Sequence, residues 1–262
     1  MGQAIIQVDA FTDTPFGGNP AAVCVLPAPR DEMWMQQVAR EMNLSETAFL
    51  HPEGAGYRLR WFTPTVEMPL CGHATLASAH VLYATRLLAP DATAHFFTHS
   101  GELRATKDGD WLTLDFPTRP IAEMPAPFDV AAALGVPVLH VAANQHETWL
   151  AEIASEEQLR ALKPNFAAMM GVHGVIVTCR ASSTGFDFMS RFFAPSIGID
   201  EDPVTGAAHC SLTPYWAAKL GKSEMVGYQA SPRGGVVRVR LAGERVALSG
   251  QAVTVLRGEL LA

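Results

Sequence analysis

Gly72, Gly101 and Gly109 are followed, each 134 residues later, by Gly206, Gly235 and Gly243. Glycine marks places where a chain turns tightly or is closely approached, so three in one register mean that one backbone plan is used twice. The register continues upstream with small length changes. Phe62 and Pro64 match Phe193 and Pro195, and the run from Ala21 to Leu50 matches Trp149 to Thr178, with Asp31-Glu32 answered by Glu156-Glu157. Two long copies describe a duplicated domain and not a solenoid.

Local patterns supply the elements. Gln3 to Phe11 alternates like a strand, Phe16 to Pro20 is a turn, and Ala21 to Leu26 is a second apolar run. Asp31 to Glu41 has helical periodicity with Asp31 as cap, and Ala48 to Leu50 and Leu59 to Phe62 are further strands. Gly72 to Leu88 and Thr205 to Gly221 are apolar on most faces, as buried helices are. A hairpin turns at Asp108-Gly109-Asp110. The expected architecture is therefore α+β (mixed α/β), with two pseudo-symmetric halves, each wrapping strands around its own helix. They span residues 1–118 and 125–251, meet in the proline-rich stretch Pro117 to Pro127, and return the last strand, within residues 252–262, to the first half.

Composition narrows the function. At 262 residues and 48% hydrophobic content a buried core is available, and no long uncharged apolar run or basic leader marks a membrane span or export signal. Cys24, Cys71, Cys179 and Cys210 lack CxxC spacing, which fits a reducing cytoplasm and neither a disulfide framework nor a structural zinc site. A net charge of −7 without a basic stripe argues against nucleic acid and for a small-molecule substrate. Phosphate-loop, dinucleotide, serine-hydrolase and zinc-protease motifs are missing.

Two segments open the matching helices, Cys71-Gly72-His73 and Thr205-Gly206-Ala207 after Asp202-Pro203. Helix starts present unpaired N–H groups and a positive dipole end, so two of them facing across a cleft would hold a carboxylate; taken singly, each glycine is as well explained by a tight turn. Asn43 to Thr47 leads into an apolar strand, and a carboxylate entering the core at Glu46 would have its pKa raised and could shuttle protons. The plain alternative is a surface glutamate. The repeat places His173 opposite Glu46 and the Asp202-Pro203 region opposite Cys71, so the second half has no matching carboxylate or thiol. One base returning a proton to a different carbon fits that asymmetry. His73 is a hydrogen-bond donor, a second acid or a packing residue. His95 and His99 sit in a strand-like segment and are no metal pair, and His80 and His209 are expected to be satisfied core histidines.

At these residues the sequence resembles the PhzF-like (phenazine biosynthesis-like) isomerase family, which has the diaminopimelate epimerase-like fold. The resemblance is carried by Val8 to Thr12 with Gly17 to Val23, by Asn43 to Thr47, by Phe62-Thr63-Pro64 leading to Cys71 to Thr75, and by Glu201 to Gly206. It implies two similar domains, each a curved, barrel-like sheet around a central helix, an active site in the cleft between them, a homodimer, and proton transfer between carbons without metal or organic cofactor. It assigns catalysis to Glu46, His73 and Asp202, and binding of a carboxylate substrate to Asn19, Ser45, Cys71, Gly72, Thr205, Gly206 and Ala207. The type enzyme has Ser where this chain has Ala207. Two rival expectations stand beside it: a racemase or epimerase using Cys71 and Asp202, and a catalytically silent ligand-binding member of the fold.

Overall fold

The computed structural model describes residues 2–261 and divides into two compact units, one of residues 2–115 with 249–261 and one of residues 116–248. In the first, the elements are β1 (Gln3–Ala10), β2 (Asn19–Val25), α1 (Glu32–Met42), β3 (Glu46–Glu53), β4 (Gly56–Phe62), β5 (Glu67–Met68), α2 (Gly72–Ala84), β6 (Ala94–Thr98), β7 (Gly101–Asp108) and β8 (Trp111–Pro117). The second holds α3 (Val130–Leu134), β9 (Val138–Ala143), β10 (Thr148–Ile153), α4 (Glu156–Ala161), β11 (Gly174–Arg180), β12 (Phe188–Ala194), β13 (Ile199–Asp202), α5 (Gly206–Leu220), β14 (Glu224–Gln229), β15 (Gly235–Ala242) and β16 (Arg245–Gly250). The last strand, β17 (Ala252–Leu260), belongs to the first unit and pairs antiparallel with β1.

The duplication is one of strand pairing. In the first unit β1 and β2 are antiparallel, β2 and β3 parallel across α1, β3 and β4 antiparallel, β4 and β6 parallel across α2, and β6 and β7 antiparallel. The second repeats this order in β9/β10, β10/β11, β11/β12, β12/β14 and β14/β15, with α4 and α5 as the crossovers. The paired glycines fall at equivalent points: Gly72 and Gly206 open α2 and α5, and Gly109 and Gly243 make hairpin turns with φ of 56° and 62°. A side chain is strained at such angles.

Local chemistry sets the helix ends. The Asp31 carboxylate accepts from the N–H groups of Met33 and Trp34 to cap α1, and Asn43 closes it at φ 50°. Ten of the thirteen residues of α2 are buried, and the helix packs on β1, β2, β3 and β17. Its alanines and Ser78 let the strands come close, while Leu76, Val81 and Leu82, each almost wholly buried, contribute ~1.5–3 kcal/mol apiece. The helix ends at Ala84, not at Leu88: Arg86 turns to φ 60°, and Leu87 and Leu88 donate back to the Leu82 carbonyl. In α5, Thr205 and Gly221 are caps flanking the helix. Pro214 lies inside α5 and has no N–H for the Cys210 carbonyl. That carbonyl accepts instead from Arg119 N–H at 2.9 Å, and Ser211 Oγ donates to the Arg119 carbonyl at 2.7 Å, so the helix interruption ties down the chain entering the second unit.

Candidate active site

Glu46 is the first residue of β3, not part of the loop before it, and β3 lies parallel to β2 with Glu46 opposite Ala21. Parallel pairing brings the starts of the two strands to one edge, so Asn19 and Ser45-Glu46 are neighbours although 26 residues of chain separate Asn19 from Ser45. The N-terminus of α2 supplies Cys71 as N-cap and His73 in the first turn. Glu46, Cys71 and His73 are each only 5–6% exposed, and Asn19 is completely buried.

The hydrogen bonds at this edge run in one direction. Ser45 Oγ–H donates to Asn19 Oδ1 at 3.3 Å, which orients the amide, and Asn19 Nδ2–H donates to His73 Nδ1 at 3.2 Å. Burial pushes the His73 pKa down to about 3, so the ring is neutral at physiological pH. With Nδ1 accepting, the single ring proton sits on Nε2. Nε2 lies 3.2 Å from Glu46 Oε2 but off the line of a hydrogen bond. Cys71 Sγ is 3.5 Å from His73 Nδ1, beside the Asn19 amide. A ring with so low a pKa carries a single proton at physiological pH. Cys71 gives α2 no side-chain cap, leaving the first-turn N–H groups to other acceptors.

In the second unit Asp202 ends β13, where Thr205 Oγ–H donates to its carboxylate at 2.5 Å. Gln229, completely buried, accepts from Thr205 N–H at 2.8 Å and donates to the Asp202 carbonyl at 2.7 Å and to Thr205 Oγ at 3.1 Å. The Thr205 hydroxyl and N–H are therefore engaged within the protein. Gly206 and Ala207 open α5, which also lacks a side-chain cap. The N-cap counterpart of Cys71 is Thr205 and not the Asp202-Pro203 region, since each N-cap stands three residues after the last residue of the strand before it, Met68 and Asp202. His209 is only half satisfied: Nδ1–H donates to the Thr205 carbonyl at 2.8 Å, while buried Nε2 has no hydrogen-bond partner among the described residues. Burial pushes its pKa down to about 4. His80 bonds Thr254 Oγ at 2.9 Å. His95 lies in β6 and pairs with Glu102, and His99 pairs with Glu67.

A family model described as phenazine biosynthesis-like protein (PhzC-PhzF) matches residues 8–258. The chain belongs to the phenazine biosynthesis-like protein family. It is similar to an uncharacterized isomerase of Halalkalibacterium halodurans, 53% identical, with 100% of this chain and 99% of the relative covered. A crystal structure of a PhzF-family phenazine biosynthesis protein from Enterococcus faecalis superposes with a TM-score of 0.95 at 40% identity, covering both chains fully. A probable proline racemase from Agrobacterium radiobacter, at 11% identity and TM-score 0.67 over 98% of this chain and 92% of that one, shares the fold alone. The chain is an enzyme of isomerase type with a mixed α/β, epimerase-like fold.

Within this family setting, two buried groups were not picked out from sequence. Gln229, which organises the start of α5, carried no motif. Asp9, within the Val8 to Thr12 motif, is 1% exposed; its carboxylate accepts from Phe16 N–H at 2.7 Å and holds the loop that leads into Asn19. The sequence signal is an aspartate three residues before the turn-forming Thr-Asp-Thr-Pro-Phe-Gly-Gly run; in the structure Phe11 and Phe16 take φ of 64° and 70°. A hollow of about 400 Å³ in the first unit is lined by Ile6, Val25, Tyr57, Val81 and Leu87, and offers no carboxylate or imidazole for proton transfer. Among the described residues, one group combines metal-ligating atoms: Glu46, Cys71 and His73, with a carboxylate oxygen, the thiol sulfur and a ring nitrogen all within 4.8 Å of one another. No helix among the described residues is long and apolar enough to cross a membrane.

Proposed function

We propose that the chain is a cofactor-independent isomerase in which Glu46 takes a proton from one carbon of a small carboxylate-bearing substrate and returns it to another. The observation that supports this reading is the one-way chain Ser45, Asn19, His73, which ends in a neutral Nε2–H beside the buried Glu46 carboxylate. When Glu46 accepts the proton, the electron pair of the broken C–H bond moves into the adjacent carbonyl, imine or diene. When Glu46 returns the proton at the other end of that conjugated system, the pair closes the new C–H bond and no net charge is left. The uncapped first turn of α2, opening at Gly72, offers N–H groups to the substrate carboxylate and to the transient negative charge. His73 stays neutral throughout, its ring packed 3.2 Å from the Glu46 carboxyl.

Loss of a positioned general acid/base costs roughly 10²–10⁴ in rate, and Glu46→Gln is expected to lose at least that much. The assay is NMR of unsaturated cyclic and acyclic amino or hydroxy carboxylates with the enzyme in D2O, following movement of the double bond. Full turnover by Glu46→Gln on any substrate the wild type isomerises would refute the role of Glu46. A second reading, racemisation with Cys71 as acid/base, draws support from the thiol lying 3.5 Å from His73 Nδ1. It predicts deuterium incorporation with inversion that persists in Glu46→Gln and disappears in Cys71→Ser. Four free, buried cysteines favour a cytoplasmic setting for either reaction.

A further inference from the structure

We propose that Glu46, Cys71 and His73 also form a binding site for a thiophilic divalent cation, Zn²⁺ in the first place, and that its occupancy switches the isomerase off. One thiol, one imidazole and one carboxylate within 4.8 Å of each other are a zinc donor set. Mg²⁺ and Ca²⁺ select six or more oxygens and find one carboxylate here. The spacing suits the smaller ion. A tetrahedron with Zn–S of about 2.3 Å and Zn–N of about 2.0 Å has an S-to-N edge of about 3.5 Å, and Cys71 Sγ lies 3.5 Å from His73 Nδ1. Glu46 Oε2 stands beside the other ring nitrogen, 3.2 Å from Nε2, so an ion held between Cys71 Sγ and His73 Nδ1 gains Glu46 once the carboxylate turns around the ring edge, a short move since the three ligand atoms lie within 4.8 Å of one another.

Electrostatics points the same way. A dication with one thiolate and one carboxylate is neutral overall, so the complex escapes the cost of a net buried charge. His73 Nε2–H is buried 3.2 Å from Glu46 Oε2 without forming a hydrogen bond to it, so no bond to the ring opposes a turn of the Glu46 carboxylate toward a metal on Nδ1. Three protein ligands leave a fourth position for water. Binding has a cost as well. His73 Nδ1 must exchange the Asn19 amide for the metal, and the Cys71 thiol gives up its proton to solvent. The site is accordingly reversible, unlike the closed four-ligand sites that hold structural zinc. With its carboxylate on the metal, Glu46 has no free lone pair for a substrate proton.

The metal site stands independently of the proposed reaction, whereas the switch rests on it, so the test reads metal before activity. Chelator-treated full-length protein is dialysed against buffered free Zn²⁺ and, separately, against Co²⁺. The expected result is one equivalent of Zn²⁺ per chain and, with Co²⁺, thiolate-to-metal charge transfer together with tetrahedral visible bands. Cys71→Ser abolishes the charge-transfer band and weakens Zn²⁺ at least 10-fold, and Glu46→Gln, checked for folding by circular dichroism, also weakens it. Should Cys71→Ser fail to fold, protection of wild-type Cys71 from alkylation by Zn²⁺, mapped by mass spectrometry, replaces it. Stoichiometry near zero, or Co²⁺ spectra without a thiolate band, overturns the site. Bound Zn²⁺ with undiminished isomerisation overturns the switch, and isomerisation by metal-free Glu46→Gln overturns the role of Glu46 instead.

Discussion

Lowering the pH from 7.5 to 5.0 should destabilise this protein by about 4 kcal/mol through His73 and His209 alone. Burial drives both rings down from an unfolded value of 6.5, His73 to about 3 and His209 to about 4. Between those values the unfolded chain binds protons that the folded chain refuses, so stability rises with pH. The contribution is fully present above the unfolded pKa and is lost as pH falls toward the folded ones. At pH 5.0 each unfolded imidazole gains about 1.5 pH units of protonation free energy, ~2 kcal/mol at 1.36 kcal/mol per unit, and the folded rings gain almost nothing. That figure holds for any folded pKa well below 5. His80, pushed down to about 4 but half-buried, adds a smaller share. Urea unfolding at both pH values measures the sum, and ring C–H shifts of each histidine measure the parts. In His209→Leu the loss between the two pH values should shrink by about 2 kcal/mol, even though the variant starts less stable for want of the bond to Thr205. A change under about 1 kcal/mol in the wild type, or a His209 ring titrating near 6.5, would refute the reasoning.

Other expectations follow from single contacts. Nitrogen-15 NMR should find His73 neutral with its proton on Nε2 from pH 5 to 8, and Asn19→Leu should mix the tautomers and slow turnover by roughly 10-fold, about the worth of one lost hydrogen bond; an unchanged ring spectrum would remove Asn19 as a positioning residue. Glu156 is held down to about 2, first by the Ser183 hydroxyl and then by Arg160 and the Ser183 and Ser182 N–H and O–H donors. Its stabilisation is present above pH 4.5 and lost as pH falls toward 2, and Glu156→Ala should cost about 2–4 kcal/mol and expose residues 181–187 to proteolysis. A Cβ on Gly250 would stand 2.4 Å from Phe11 Cδ1, so Gly250→Ala should lower stability by about 1–3 kcal/mol in a thermal melt.

The parts of the site legible in the sequence were those with a backbone signature. Gly72 and Gly206 mark helix starts wherever they occur, and Asn43 to Thr47 announces a helix end followed by a strand. The resemblance then nominated Glu46 and His73 together, which lie 3.2 Å apart. Of the residues it nominated as substrate-binding, Asn19 and Ser45 bond each other and Asn19 bonds His73, while the Thr205 hydroxyl bonds Asp202. Such engagements leave no sequence trace, because an asparagine bonded to a histidine and one bonded to a ligand are the same letter. His209 shows the limit most clearly. A core histidine was foreseeable from an apolar helix, but one nitrogen is bonded and the other is not, and only its neighbours decide that.

The sequence by itself determined the duplication, the two buried helices and the glycine-marked turns, because helix starts, hairpins and burial make local demands on residue type. Tertiary structure alone decided which atoms meet. Asn19, Glu46 and His73 converge because β2 and β3 run parallel and α2 begins at their shared edge. The proton on His73 Nε2 follows from an amide 54 positions away in the chain. In the same way, the Cys210 carbonyl freed by Pro214 finds Arg119. Hydrogen bonds are directional and short, so their partners are fixed by position in space to within a few tenths of an ångström, a precision that residue order does not carry.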